Sequence, residues 1–90
     1  MPFGWNAQKA AANFRKHGVS FDEAASVFFD PLSATGDDPD HSADERRFVT
    51  FGMPSSGQLL VAAHTVHDET VRIVTARLAT RAERGLYEEG

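Results

Sequence analysis

The stretch Lys16-His17-Gly18-Val19-Ser20-Phe21-Asp22-Glu23 ends one helix and starts another with no room for a linker. Gly18 suits the left-handed residue that closes a helix. Ser20 and Glu23 form a capping box, and Val19 and Ala24 have the spacing of a hydrophobic staple. Upstream, Asn6 suits an N-cap, and Ala7, Ala10, Ala11 and Phe14 recur at the spacing of one buried helical face. Lys16 and His17 fall in the last turn, where positive charge suits the dipole. Downstream, Phe21, Ala24, Ala25 and Phe28 make a second apolar face, and Asp30-Pro31 ends it. Two helices joined this tightly must bury their faces against one further layer. Phe3 and Trp5, ahead of the first helix, are expected to seal one end of that core.

The remaining chain supplies the layer as strands. A short strand near Leu32–Thr35 is followed by a polar segment to residue 45. Phe48–Phe51 alternates, Gly52-Met53-Pro54-Ser55-Ser56-Gly57 turns, and Gln58–Val66 is a second strand. Its Leu59-Leu60-Val61-Ala62-Ala63 run is apolar enough to be central and covered on both faces. His67-Asp68-Glu69 reads as a tight turn into a third strand, Thr70–Arg77. There Val71, Ile73 and Thr75 are expected on the face opposite Arg72, Val74 and Ala76. Thr80 and Glu83 form another capping box, opening a C-terminal helix to about Glu89. Helices segregated from strands predict an α+β fold: two N-terminal helices, an antiparallel sheet of three to four strands and a C-terminal helix, in one domain over residues 1–90.

Ninety residues allow one hydrophobic core. The absence of cysteine removes disulfides, thiolate nucleophiles and Cys-based zinc sites, and suits the cytoplasm. No apolar run reaches the roughly 20 residues of a membrane helix, and Met1–Ala11 lacks the pattern of a signal peptide. The net charge of -4 argues at first against a nucleic-acid partner. Its distribution reverses that argument. Residues 1–20 carry +3, residues 21–45 carry -8 and residues 46–90 carry +1.

The arginines gather where chemistry is expected. Arg72, Arg77, Arg81 and Arg84 lie within thirteen residues, on a strand that runs into a helix N-terminus. Free backbone N–H groups and forked guanidinium groups there make a phosphate cradle. Cations in a first helical turn oppose the dipole by roughly 0.3–1 kcal/mol each, a cost that a bound anion reverses. The plain structural alternative is that these arginines pair with Glu83, Glu88 and Asp44.

His64, at the end of the apolar strand and near Arg72 across the hairpin, is the best-placed proton donor or acceptor. The alternative is a core-edge histidine hydrogen-bonded to backbone. His41 with Asp37, Asp38, Asp40, Asp44 and Glu45 superficially suggests a metal. The glycine that a calcium loop needs is missing and Pro39 interrupts the run, so a solvated acidic loop with no metal is expected.

Trp5-Asn6-Ala7-Gln8-Lys9-Ala10-Ala11-Ala12-Asn13-Phe14-Arg15-Lys16-His17-Gly18-Val19-Ser20-Phe21 resembles the opening signature of the BrnT toxins of bacterial type II toxin–antitoxin systems. Arg47-Phe48-Val49-Thr50, Gly52, His64-Thr65, Val71-Arg72-Ile73-Val74-Thr75-Ala76-Arg77 and Glu83-Arg84 with Tyr87-Glu88 follow in that family's order.

The resemblance implies a RelE-like ribonuclease fold. It implies a metal-independent endoribonuclease, without cofactor, that blocks translation and is neutralised by a BrnA-like antitoxin, with operator DNA contacted through the antitoxin. By position, it implies Arg77 and Arg81 as stabilisers of charge on the scissile phosphate and His64 as acid or base. Arg72, Arg84 and Tyr87 are implied as supporting RNA contacts, and Lys9 and Lys16 are the further basic candidates on the first helix. Three residues depart from the family pattern: Leu78 and Gly85 stand where it is often basic, which leaves fewer positive charges near the last helix, and Gly4 stands where it is usually acidic. They set the alternative: a weak or silent homologue that only binds an antitoxin.

Overall fold

A computed structural model describes residues 2–38 and 46–89. In chain order it contains β1 (Phe3–Gly4), α1 (Ala7–His17), α2 (Phe21–Ser26) with a 3₁₀ turn (Val27–Phe29), β2 (Ala34–Asp37), β3 (Phe48–Gly52), β4 (Leu60–His67), β5 (Thr70–Leu78) and α3 (Arg81–Glu89). The α+β class is as expected. The sheet has five strands in the order β1-β5-β4-β3-β2, and it is mixed rather than antiparallel, because β1 pairs in parallel with β5. A two-residue strand is too short for its pattern to show in sequence.

The caps form as the residues dictate. The Asn6 side chain accepts the N–H groups of Gln8 (2.9 Å) and Lys9 (3.1 Å). Gly18, at φ 70°, closes α1 by donating its N–H to the Phe14 carbonyl. Ser20 and Glu23 make both bonds of the capping box. The core lies between this helical pair and one sheet face: Val19, Phe21, Ala24 and Val27 meet Leu60, Ala62, Val71, Ile73 and Ala76. Gly52 lets the 3₁₀ turn approach β3, since a Cβ there would stand 2.6 Å from Val27 Cγ1.

Three expectations need correction. Helix α1 does not bury the Ala7–Phe14 stripe; Phe14 is 55% exposed and Asn13 is buried. The reason is an edge. Strand β1 pairs only with Val71 and Arg72, so the rest of that side of β5 would present open backbone groups. The Asn13 carboxamide fills the gap: its Oδ1 accepts the Ala76 N–H (3.2 Å), and its Nδ2 donates to the carbonyls of Ala76 (2.9 Å) and Val19 (3.1 Å). Second, Trp5 does not seal the core; it sits at the surface with its ring edge-on to Phe21, while Phe3 packs against the core.

Third, β5 does not alternate strictly. Ala63 pairs with Thr75 but His64 with Ile73, so Val74 is a bulge residue and Ala76, not Thr75, joins Val71 and Ile73 in the core. The central strand β4 is as expected: Leu59 to Ala63 are all buried, on both faces, although the helical pair covers only one of them. On the other face Val61 and Ala63 lie between neighbours on β3 and β5, Phe51 and Arg77 flanking one, Val49 and Thr75 the other. The acidic segment lies partly outside the described residues, including Asp40, His41, Asp44 and Glu45, and no metal-binding cluster occurs among the described ones.

Candidate active site at the end of the fifth strand

The bulge decides the geometry of the arginines. Arg72 and Arg77 are five residues apart, which in a regular strand puts them on opposite faces. Across the bulge, Arg72 pairs with Thr65 and Arg77 with Val61, two β4 residues an even number apart. Both arginines therefore stand on the face that the helices leave open, about 13 Å apart along the strand. A simple period-two reading misses this.

Beyond β5, Thr80 caps α3. Its N–H donates to Glu83 Oε1 (2.8 Å), and the Glu83 N–H donates to Thr80 Oγ1 (3.2 Å). Glu83 also holds Arg77 through a forked pair of bonds, Nη1 to Oε1 at 2.7 Å and Nη2 to Oε2 at 2.9 Å. The Arg77 guanidinium, with help from the Thr80 cap, pulls the Glu83 carboxyl down to about 2 against the cost of burial, and Glu83 raises Arg77. Arg81, in the first turn, and Arg84, one turn on, are exposed and have no partner among the described residues. The plain pairing alternative thus holds for Arg77 with Glu83; Arg81 and Arg84 do not pair with Glu83 or Glu88, and Asp44, the other partner it named, lies outside the described residues.

Arg84 and Tyr87 line a cleft of about 320 Å³ under α3, with Met53, Gln58, Leu59 and Leu78. The Tyr87 hydroxyl donates to Asp30 Oδ2. Asp30 also accepts the N–H groups of Met53 (2.8 Å) and Leu32 (2.9 Å). These bonds, Tyr87 first, lower the Asp30 carboxyl, and Asp30 raises Tyr87 in turn. Asp30 is legible in sequence only as the residue before Pro31; its function as an anchor for α3 has no local signal. Lys9 and Lys16 lie apart from the cleft. They line a groove of about 270 Å³ on the outer side of β5 with Asn13, His17, Val74 and Thr75.

His64 is not at the surface with them. It is 4% exposed, on the helix-facing side of β4, against the rings of Phe28 and Phe48. Its Nε2 meets Thr50 Oγ1 at 2.8 Å, and Thr50 Oγ1 meets Thr35 Oγ1 at 2.7 Å. Burial pushes the imidazole down to about 4, so it is neutral at pH 7. A group that transfers a substrate proton must come within hydrogen-bond reach of it. His64 thus stands where the core-edge alternative has it, with a threonine hydroxyl rather than backbone as the partner.

Residues 5–83 match the family model described as the ribonuclease toxin, BrnT, of type II toxin–antitoxin systems. The chain belongs to the BrnT family. The match takes in Arg72, Arg77, Arg81 and Glu83 and stops short of Arg84 and Tyr87. The crystal structure of the Brucella abortus ribonuclease toxin BrnT superposes with a TM-score of 0.66, over 90% of this chain and 99% of that one, at 23% identity. At that identity the likeness speaks for a shared BrnT fold. No curated protein sequence matches the chain. Three conspicuous residues of the N-terminal BrnT-like signature, Asn6, Asn13 and Gly18, act here on structure: a helix cap, an edge closure and a helix stop.

Proposed function

We propose that this BrnT-family chain is an endoribonuclease toxin whose working surface is the open sheet face and the N-terminus of α3. The observation that carries the reading is the bulge-enforced placement of Arg72 and Arg77 on one face, with Arg77 close in sequence to Arg81, which has no partner among the described residues. Attack of a ribose 2′-hydroxyl on the adjacent phosphorus forms a 2′,3′-cyclic phosphate as the bond to the 5′-oxygen breaks; the 2′ proton passes to solvent water, the leaving oxygen takes one from it, and negative charge builds on the phosphoryl oxygens on the way. Preorganised guanidinium groups stabilise that charge without help from a metal. Arg77 and Arg81 take this part. Arg72 and Arg84 hold flanking phosphates, Tyr87 orders α3 over the cleft, and Lys9 and Lys16 extend the basic surface along β5. His64 supports the sheet and takes no proton from substrate.

Cleavage of cellular RNA in the cytoplasm would block translation, and a BrnA-like antitoxin would neutralise the chain and carry it to operator DNA. The test is incubation of purified protein with RNA in EDTA. Cleavage is expected, with a loss of roughly 10²–10³-fold in Arg77→Ala and Arg81→Ala. Folded variants that cut as well as the parent would refute the site. Absence of cleavage by the parent protein would favour the silent, antitoxin-binding alternative, to which Leu78, Gly4 and Gly85 point.

A further inference from the structure

Of Arg72, Arg77, Arg81 and Arg84, Arg77 is the one with a carboxylate partner among the described residues. Its two terminal nitrogens meet the two oxygens of Glu83 at 2.7 and 2.9 Å, the forked geometry in which a guanidinium also takes a phosphate. Arg81 and Arg84, by contrast, have no such partner among the described residues. The Arg77 side chain is 42% exposed and that of Glu83 20%, so an incoming anion can reach the pair.

Glu83 also has a second anchor. It belongs to the capping box of α3 and keeps the Thr80 N–H, 2.8 Å away, when it lets go of the arginine. Arg77 keeps one bond as well, from Nη1 to the Leu78 carbonyl at 3.2 Å. Exchanging the carboxylate for a phosphate therefore strands neither group.

We propose that Glu83 is a built-in competitor for the phosphate site of Arg77, holding the guanidinium until an RNA phosphate displaces it. The proposal rests on the ribonuclease reading of the same site and adds what sets its affinity. It also gives the low net charge of the chain a local meaning: the arginine cluster is held partly neutral until substrate arrives.

The test is Glu83→Gln, which keeps a capping-box side chain and removes the charge. With a non-cleavable 2′-O-methyl RNA oligonucleotide, the dissociation constant is expected to fall roughly tenfold relative to the parent protein, because a charge-assisted competitor is gone. The dependence of log K on log salt should keep the parent's slope, because the same phosphate contact to Arg77 forms in both complexes. On cleavable RNA the gain enters through KM with kcat unchanged, since the competitor acts on free enzyme. Adding Arg77→Gln should abolish the gain. Equal or weaker RNA binding by Glu83→Gln, or a fall in kcat at constant KM, would overturn the proposal and make Glu83 a positioning residue for Arg77.

The parent protein supplies an independent measurement that needs no variant to fold. By NMR, inorganic phosphate and then the 2′-O-methyl RNA should shift the Arg77 Nε–H and the Glu83 carboxyl carbon together. A Glu83 signal unmoved at saturating RNA overturns the proposal. Failure of the ribonuclease reading looks different: tighter binding by Glu83→Gln with no cleavage by any variant.

Discussion

His64 makes acid the most informative perturbation of this fold. The folded protein holds its imidazole neutral, with a pKa lowered from 6.5 to about 4 by burial. In the unfolded chain the ring protonates at its ordinary value, so the unfolded state binds more protons than the native one across this window. The stabilisation is fully present above pH 6.5 and is lost as the pH falls towards 4. Linkage between the two values gives a loss of about 2 kcal/mol on going from pH 7 to pH 5, and about 3 kcal/mol by pH 4. The buried Nδ1 has no hydrogen-bond partner among the described residues, so an imidazolium would add a second N–H with none of them to donate to. The carboxylates held low act later: Glu83, at about 2, loses its contribution only as the pH falls below the ordinary glutamate value of 4.5. Loss between pH 7 and 5 therefore reports the histidine. Urea denaturation at pH 7, 6 and 5 measures it, with His64→Gln as the control that retains a polar side chain toward Thr50 and cannot titrate. A parent protein equally stable at pH 7 and 5, or a His64→Gln variant with the same acid slope, would refute the buried, neutral histidine.

Asn13→Leu should cost about 2–4 kcal/mol in urea unfolding, because it strands the Ala76 N–H at the β5 edge and the carbonyls of Ala76 and Val19. An effect under 0.5 kcal/mol would mean that the edge is closed some other way. Gly52→Ala should destabilise by roughly 1–3 kcal/mol, since its Cβ would stand 2.6 Å from Val27 Cγ1 and 3.0 Å from the Val27 carbonyl oxygen. A thermal melt no lower than that of the parent would contradict this packing. Asp68 and Glu69 both turn with positive φ, 49° and 66°, between β4 and β5. Glu69→Gly is therefore expected to stabilise by about 1 kcal/mol, and a lower melting temperature would show that the hairpin turn is of another type.

Local chemistry was legible wherever a few neighbouring residues settle the outcome. The Asn6 and Ser20 caps, the Gly18 stop, the β3–β5 meander and the Thr80–Glu83 capping box all follow from short-range hydrogen bonding and period. So did the gathering of arginines near residues 72–84, since clustering is a property of the chain itself. The BrnT-like motifs likewise named the family from the residues alone.

What the chain alone left open depends on partners distant in sequence. Helix α1 turns its Asn13 rather than its Phe14 inward because an edge 63 residues away needs a donor and an acceptor. His64 sits at a promising strand end, yet Phe28, Phe48 and Thr50 close around it and bury it. One extra residue in β5, visible only in the pairing with β4, moves Arg77 to the side of Arg72. Composition and local pattern determined which elements form and which charges cluster. Only the tertiary structure decided which of those charges share a surface, because strand register and burial are set by contacts between segments that no local spacing encodes.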